Sequence, residues 1–102
     1  MIGNYRMMDW EREKYTKFFS ARLEKIRNGA VKEQNITDIG LCPSNVDTIL
    51  SEHLGYDWEG EDVNNHDFWY IWHHPDDPDN LFLYLQINLD TFEMHLFFEE
   101  NE

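Results

Sequence analysis

Cationic side chains are missing from more than two-thirds of this 102-residue chain: no lysine or arginine occurs after Lys32. All eight (Arg6, Arg12, Lys14, Lys17, Arg22, Lys25, Arg27 and Lys32) lie in the first 32 positions beside four acids, so that segment carries +4. From Glu33 onward 17 acids and no cation give −17, and the whole chain carries −13. Phosphate backbones are held by clustered Lys and Arg, and anionic lipid surfaces attract the same residues. Direct binding to nucleic acid or to a membrane is therefore disfavoured, whereas a basic protein surface or a divalent metal suits the charge.

Cysteine is nearly absent too. The one thiol, Cys42, cannot form an internal disulfide framework and fits a reducing, cytoplasmic setting. It precedes Pro43 without the local signature of a nucleophile, and is expected to be a small buried hydrophobe. No apolar run reaches membrane-spanning length, and the opening MIGNYRMMDW lacks the apolar core of a secretory signal. No internal repeat or low-complexity linker divides the chain, so residues 1–102 are expected to form a single domain, with 1–8 as a flexible tail. With 41% hydrophobic and 16% aromatic residues, the charge does not imply disorder.

Catalytic signatures are missing as well. There is no glycine-rich phosphate loop, no nucleophile elbow and no Cys/His arrangement in a recognisable context, so no catalytic residue, cofactor or enzymatic activity is expected. The histidines His66, His73, His74 and His95 sit among many carboxylates and invite a metal reading. Their spacing opposes it. Adjacent His73 and His74 point to opposite faces of a strand, and His95 falls about 9.6 Å away if two strand spacings separate it from His73. The segment DWEGEDVNNHDF has acids at its first, third and fifth positions but Asp62 at the sixth and Phe68 at the twelfth, where a calcium loop needs Gly and Glu. No metal site is expected.

What is present is a clear pattern of elements. Apolar residues at Met8, Tyr15, Phe18, Phe19, Leu23 and Ile26 predict one face of a helix from Asp9 as N-cap to Asn28, closed by Gly29. Arg22 lies inside that stripe and is expected to pair with a carboxylate of the acidic half; Lys14, Lys17 and Lys25 form a solvated edge. After the loop NITDIGLCP, Ser44 and Asp47 resemble a capping box for a shorter helix with Val46, Ile49, Leu50 and Leu54 on its apolar face, ended by Gly55. His53 would offset the dipole at its end. Three strands follow, DFWYIWH, LFLYLQIN and FEMHLFF, separated by PDDPDN and NLDT turns. The expectation is a two-layer α+β domain, two N-terminal helices packed on a three-stranded antiparallel β-meander (α-α-β-β-β).

That layout leaves an aromatic remainder. If Leu81, Leu83, Leu85, Phe92, Met94 and Leu96 face the helices, then Phe82, Tyr84, His95 and Phe97 face away. Either Phe68/Tyr70/Trp72 or Trp69/Ile71/His73 must join them, where a solvated face should read polar. The N-terminal segment or the 56–66 loop covers this face, or it is an interaction surface, with a homodimer as one use.

The acids supply the functional expectation. Asp57, Glu59 and Glu61 alternate, and in an extended chain would stand about 6.6 Å apart on one side, a spacing comparable to a phosphate array. Asp62, Asp67 and the turn acids Asp76, Asp77 and Asp79 extend the negative field, with Trp58 and Trp72 as aromatic anchors for a cationic partner. In overall type (short, single-domain, very acidic, without catalytic motifs) the chain resembles phage-encoded nucleic-acid mimics that block restriction or CRISPR nucleases, and bacterial immunity proteins that neutralise nuclease toxins. The resemblance is compositional, and it implies an inhibitor that occupies the basic nucleic-acid-binding surface of a nuclease or related protein. The alternative is a self-associating structural module whose acidity serves solubility.

Overall fold

The computed structural model describes residues 7–29, 34–37 and 42–100. Helix α1 (Asp9–Arg27) starts one residue earlier than its spacing suggested: Met8 is the N-cap, and its backbone N–H donates to the Glu11 carboxylate at 2.9 Å. It closes at Asn28, where Gly29 adopts φ +81°, a left-handed conformation that glycine takes at least cost. Phe19 and Leu23 are buried, and Tyr15, Phe18 and Ile26 pack half-buried beside them. Met8 does not join this stripe; it is 61% exposed, and Met7 is buried in its place. The expected tail therefore does not include residue 7, and positions 1–6 of it lie outside the described residues.

Helix α2 (Pro43–Thr48) opens on a proline, whose missing N–H costs nothing in the first turn. Cys42 is its N-cap, so the expected Ser44/Asp47 capping box does not form. The Cys42 thiol donates to the Asn45 side-chain oxygen, and the residue is half-buried and polar in its contacts rather than a buried hydrophobe. The helix continues as one π-helical turn, Ile49–His53. Together these turns bury Val46, Ile49 and Leu50 completely.

Four long antiparallel strands follow: β2 (Asp57–Val63), β3 (Asp67–His73), β4 (Leu81–Asn88) and β5 (Met94–Glu100). A two-residue strand between the helices, β1 (Gln34–Asn35), pairs with β5, and the sheet order is β1-β5-β4-β3-β2. The expected three-stranded meander is thus overturned. Asp57–Val63, read as an acidic loop, is a full strand paired with β3. None of its residues is buried, so it lacks the period-two patterning that signals half-burial. The loop expected over 35–43 is described only at its ends, and its first residues belong to β1 and to an Ile36 that is 1% exposed.

Register settles the two faces. Trp72 lies opposite Leu83, Tyr70 opposite Leu85 and Phe68 opposite Ile87; Leu83, Leu85 and Ile87 in turn face Phe98, Leu96 and Met94. Trp72, Leu83, Leu85 and Leu96 are fully buried and share one core with Phe19, Val46, Ile49 and Leu50, so this is the helix side. Burial of each such side chain contributes about 1.5–3 kcal/mol. Phe92, expected on this side, is 70% exposed and sits at φ +63° in the β4–β5 turn, its N–H donating to the Asn88 carbonyl at 2.7 Å. That turn conformation swings the ring out before β5 begins. The C-terminal end of α1 is tied to the β3–β4 turn by Arg27, which bonds both Asp77 and Asp79. Arg27 makes a long-range pairing of the kind expected of Arg22, and the Arg22 guanidinium lies 4.7 Å over the Phe18 ring.

Candidate functional site

Strand β2 is the last strand of the sheet and pairs with β3. The Asn64 side chain accepts the N–H groups of His66 and Asp67 to close the β2–β3 hairpin, and the ladder to β3 does the rest. Among the described residues no strand pairs its outer edge. Every residue except Gly60 is exposed, including Asp57, Glu59, Glu61 and Asp62. Exposed charge is a common means of keeping a free edge from pairing with other chains.

The strand is interrupted. Trp58 lies opposite Trp72 and Gly60 opposite Ile71, so Glu59 is an extra residue in a β-bulge, with Gly60 at φ +146°. The bulge shifts the alternation by one. Asp57, opposite His73, and Asp62, opposite Trp69, stand on the face away from the helices; Glu59 leans there too, its carboxylate 3.9 Å from His73 Nδ1. Glu61, opposite Tyr70, turns to the helix side with Trp58. The expected single row of Asp57, Glu59 and Glu61 is therefore not formed. A glycine inside an otherwise alternating run was the available hint of a bulge.

The remaining acids divide in two. Asp76 is exposed, and half-buried Asp67 accepts a hydrogen bond from Gln86 Nε2 at 3.0 Å. Arg27 bonds both Asp77 and Asp79; the Asp77 side chain is only 6% exposed, whereas that of Asp79 is 67% exposed. Asp77 therefore lends little to an outward field. Of the two expected anchors, Trp58 is 45% exposed, but Trp72 is fully buried and donates its indole N–H to Asp47 Oδ1 at 2.8 Å. Trp72 is a core residue, and a partner cannot reach it in the folded protein.

The histidines scatter. His73 Nε2 is 2.7 Å from Asn80 Oδ1, His74 stands edge-on to the Tyr56 ring, and His66 lies 3.7 Å from Asp90. His95 is on β5, separated from β3 by β4. Among the described residues no three His, Cys, Asp or Glu side chains converge in a way that could hold a metal ion. The segment Asp57–Phe68 runs as a hairpin, β2 pairing with the start of β3.

The face away from the helices carries Trp69, Ile71 and His73 from β3, Phe82 and Tyr84 from β4, and His95 and Phe97 from β5, each half-buried. The 56–66 segment does not fold over it, since most of that segment is β2; the N-terminal residues 1–6 lie outside the description. Tyr84 and Phe97 stack at 5.5 Å and 8°. With Trp69, Phe82 and Glu99 they help line a shallow depression of about 1000 Å³. Aromatic area is thus displayed beside Asp57, Glu59 and Asp62. No described helix is long and apolar enough to cross a membrane. No protein-family model, curated protein or solved structure matches the chain.

Proposed function

We propose that this protein is a small acidic inhibitor that binds the basic nucleic-acid-binding surface of a nuclease or a related DNA- or RNA-handling protein. The nucleic-acid-mimic type, such as an anti-CRISPR or anti-restriction protein of a phage, and the immunity protein of a nuclease toxin both fit this description. The observation that carries the reading is the acidic β2 edge. Asp57, Glu59, Glu61 and Asp62 are exposed on a strand in a 70-residue region without a single Lys or Arg. Arg27, which does reach the acidic half, is spent on Asp77 and Asp79. Such a field steers a basic partner into contact and raises its association rate. It also repels a second copy of the same edge.

The test is affinity capture from host lysate at low salt with elution by a salt gradient, followed by an activity assay on whatever is captured. The reading expects a basic nuclease or nucleic-acid-binding protein that leaves at moderate salt and loses nucleic-acid binding when this chain is present. A captured protein that keeps its nucleic acid, or capture insensitive to salt, would count against it.

A second reading is favoured by the open aromatic face: copies of the chain associate through Trp69, Phe82, Tyr84 and Phe97. Sedimentation at several concentrations separates the two. A dimer that persists in high salt and is broken by Trp69→Glu supports self-association, and a monomer at all concentrations removes it.

A further inference from the structure

Where α2 passes the helix-side face of β2 and β3, Pro43, Ser44 and Asp47 meet Trp58, Glu61 and Tyr70 around an open cleft of about 580 Å³. The bulge creates its composition. In an uninterrupted strand Trp58 and Glu61 would point to opposite faces; the extra residue Glu59 brings both to this one. Bulges commonly re-aim side chains beside functional sites.

Trp58 is already positioned. Its ring lies 5.4 Å from Tyr70 at 54° and edge-on to Trp72 at 5.7 Å and 82°, yet it remains 45% exposed. The two carboxylates are also in place. Asp47 Oδ1 accepts from both the Trp72 indole N–H and the Ser51 hydroxyl, each at 2.8 Å, which orients the group. None of its hydrogen bonds to described residues uses Oδ2. Burial first, and the charge of Glu61 second, raise the Tyr70 hydroxyl above its ordinary pKa, so the Glu61 charge is felt at that ring. Among the described residues no Lys or Arg lines the cleft.

We propose that this cleft receives an arginine side chain of the basic partner, its guanidinium plane stacked on Trp58 beside Tyr70 and its N–H groups donated to Asp47 and Glu61. Aromatic faces and carboxylates in one cleft match guanidinium better than ammonium. The planar group is weakly hydrated, stacks on rings and presents a fork of donors, whereas an ammonium is a compact and strongly hydrated point charge. The inference rests on the inhibitor reading for the identity of the macromolecule, though not for the chemistry of the cleft.

The probe is a capped Gly-Arg-Gly peptide, compared with its lysine and neutral citrulline counterparts and titrated at low salt into the full chain. The readout is the set of assigned indole N–H signals of Trp10, Trp58, Trp69 and Trp72. The arginine peptide is expected to shift Trp58 and Trp72 saturably, to bind roughly fivefold more tightly than the lysine peptide, and to leave Trp10 and Trp69 unmoved. The citrulline peptide should not bind. Trp58→Ala should weaken binding on the order of fivefold, and so should Asp47→Asn, which keeps an oxygen for Trp72 but removes the charge. Glu93→Gln in the β4–β5 turn should have no effect. Equal binding of lysine and arginine, or a Trp58→Ala titration identical to wild type, would overturn the assignment. Peptide binding at the cleft by a chain that captures no nucleic-acid-handling protein sinks the inhibitor reading and leaves the cleft standing. Nuclease inhibition undiminished by Trp58→Ala and Asp47→Asn sinks the cleft alone.

Discussion

Arg27 and Asp77, fifty residues apart in the chain, form a two-pronged ion pair: Nη1 and Nη2 donate to the two carboxylate oxygens at 2.6 and 2.9 Å. Nη2 also donates to Asp79 at 2.6 Å, and the guanidinium lies 5.0 Å over the Phe98 ring. The same carboxylate accepts the N–H groups of Asp79 and Leu81. One side chain thus organises the β3–β4 turn and fastens α1 to it, joining the basic and acidic halves of the sequence. Bidentate geometry of this kind is the stronger form of ion pair.

The pair makes stability depend on pH in a definite direction. Burial pushes the Asp77 carboxyl up, but the hydrogen bonds from Arg27, Asp79 and Leu81 and the Arg27 charge outweigh it, holding its pKa below the usual 3.8. A carboxyl depressed in the folded state stabilises the fold fully above its unfolded pKa, and that contribution is lost as pH falls through the folded value. Asp77→Asn is expected to cost about 2 kcal/mol at pH 7. The gap to wild type should narrow once the pH drops below about 4. Urea denaturation of both proteins between pH 7 and 3 measures this; a gap independent of pH would mean that the charge of Asp77 is not what matters.

Asp47 and Trp72 offer a sharper contrast. The indole N–H is buried and Asp47 accepts it, so the cost of substitution depends on whether an acceptor remains. Asp47→Ala is expected to destabilise by about 1–3 kcal/mol, whereas Asp47→Asn should stay within about 1 kcal/mol of wild type. Thermal or chemical denaturation of the two variants decides it, and equal stabilities would show that the indole finds another partner.

At Gly60 the expected penalty is conformational. A Cβ built there would meet no atom within 4 Å, but φ +146° is poorly tolerated by L side chains. Gly60→Val should cost about 1–3 kcal/mol and loosen β2. Amide exchange would locate the effect: protection should fall across Asp57–Val63 while β4 and β5 keep theirs. Unchanged exchange in β2 would argue that the bulge tolerates a side chain.

Reversing charge on the exposed edge tests the functional reading without touching the core. Glu59→Lys, Glu61→Lys and Asp62→Lys combined should slow association with the captured partner by about tenfold or more and flatten its salt dependence. Stability should move little, because all three residues are exposed. Association kinetics at two or more salt concentrations provide the check. An unchanged rate would place the interface elsewhere.

How much of this was legible beforehand can be judged at particular residues. Phe19, Leu23, Val46, Leu50, Leu83, Leu85 and Leu96 announce themselves by helical or alternating spacing, and all are buried. Strand β2 does not, because none of its residues is buried and its only apolar residues are Trp58 and Val63, both exposed. For β3 the difficulty was the reverse. Both Phe68/Tyr70/Trp72 and Trp69/Ile71/His73 look apolar enough to be the inner face, and only pairing with Leu83 and Leu85 distinguishes them. Spacing alone therefore leaves Trp72 open as an anchor, and it gives no sign of Asp47, whose partner lies twenty-five residues away.

By itself the sequence determined the class of domain, the helix ended by Gly29, the alternating strands β4 and β5, and the partition of charge between the first 32 residues and the rest. These follow from local spacing and composition, which act at short range along the chain. The tertiary structure decided which acids point outward, which tryptophan is buried, and that Glu61 shares a face with Trp58. The physical reason is that a one-residue bulge reverses the side-chain alternation, and that burial depends on which distant strand pairs in which register.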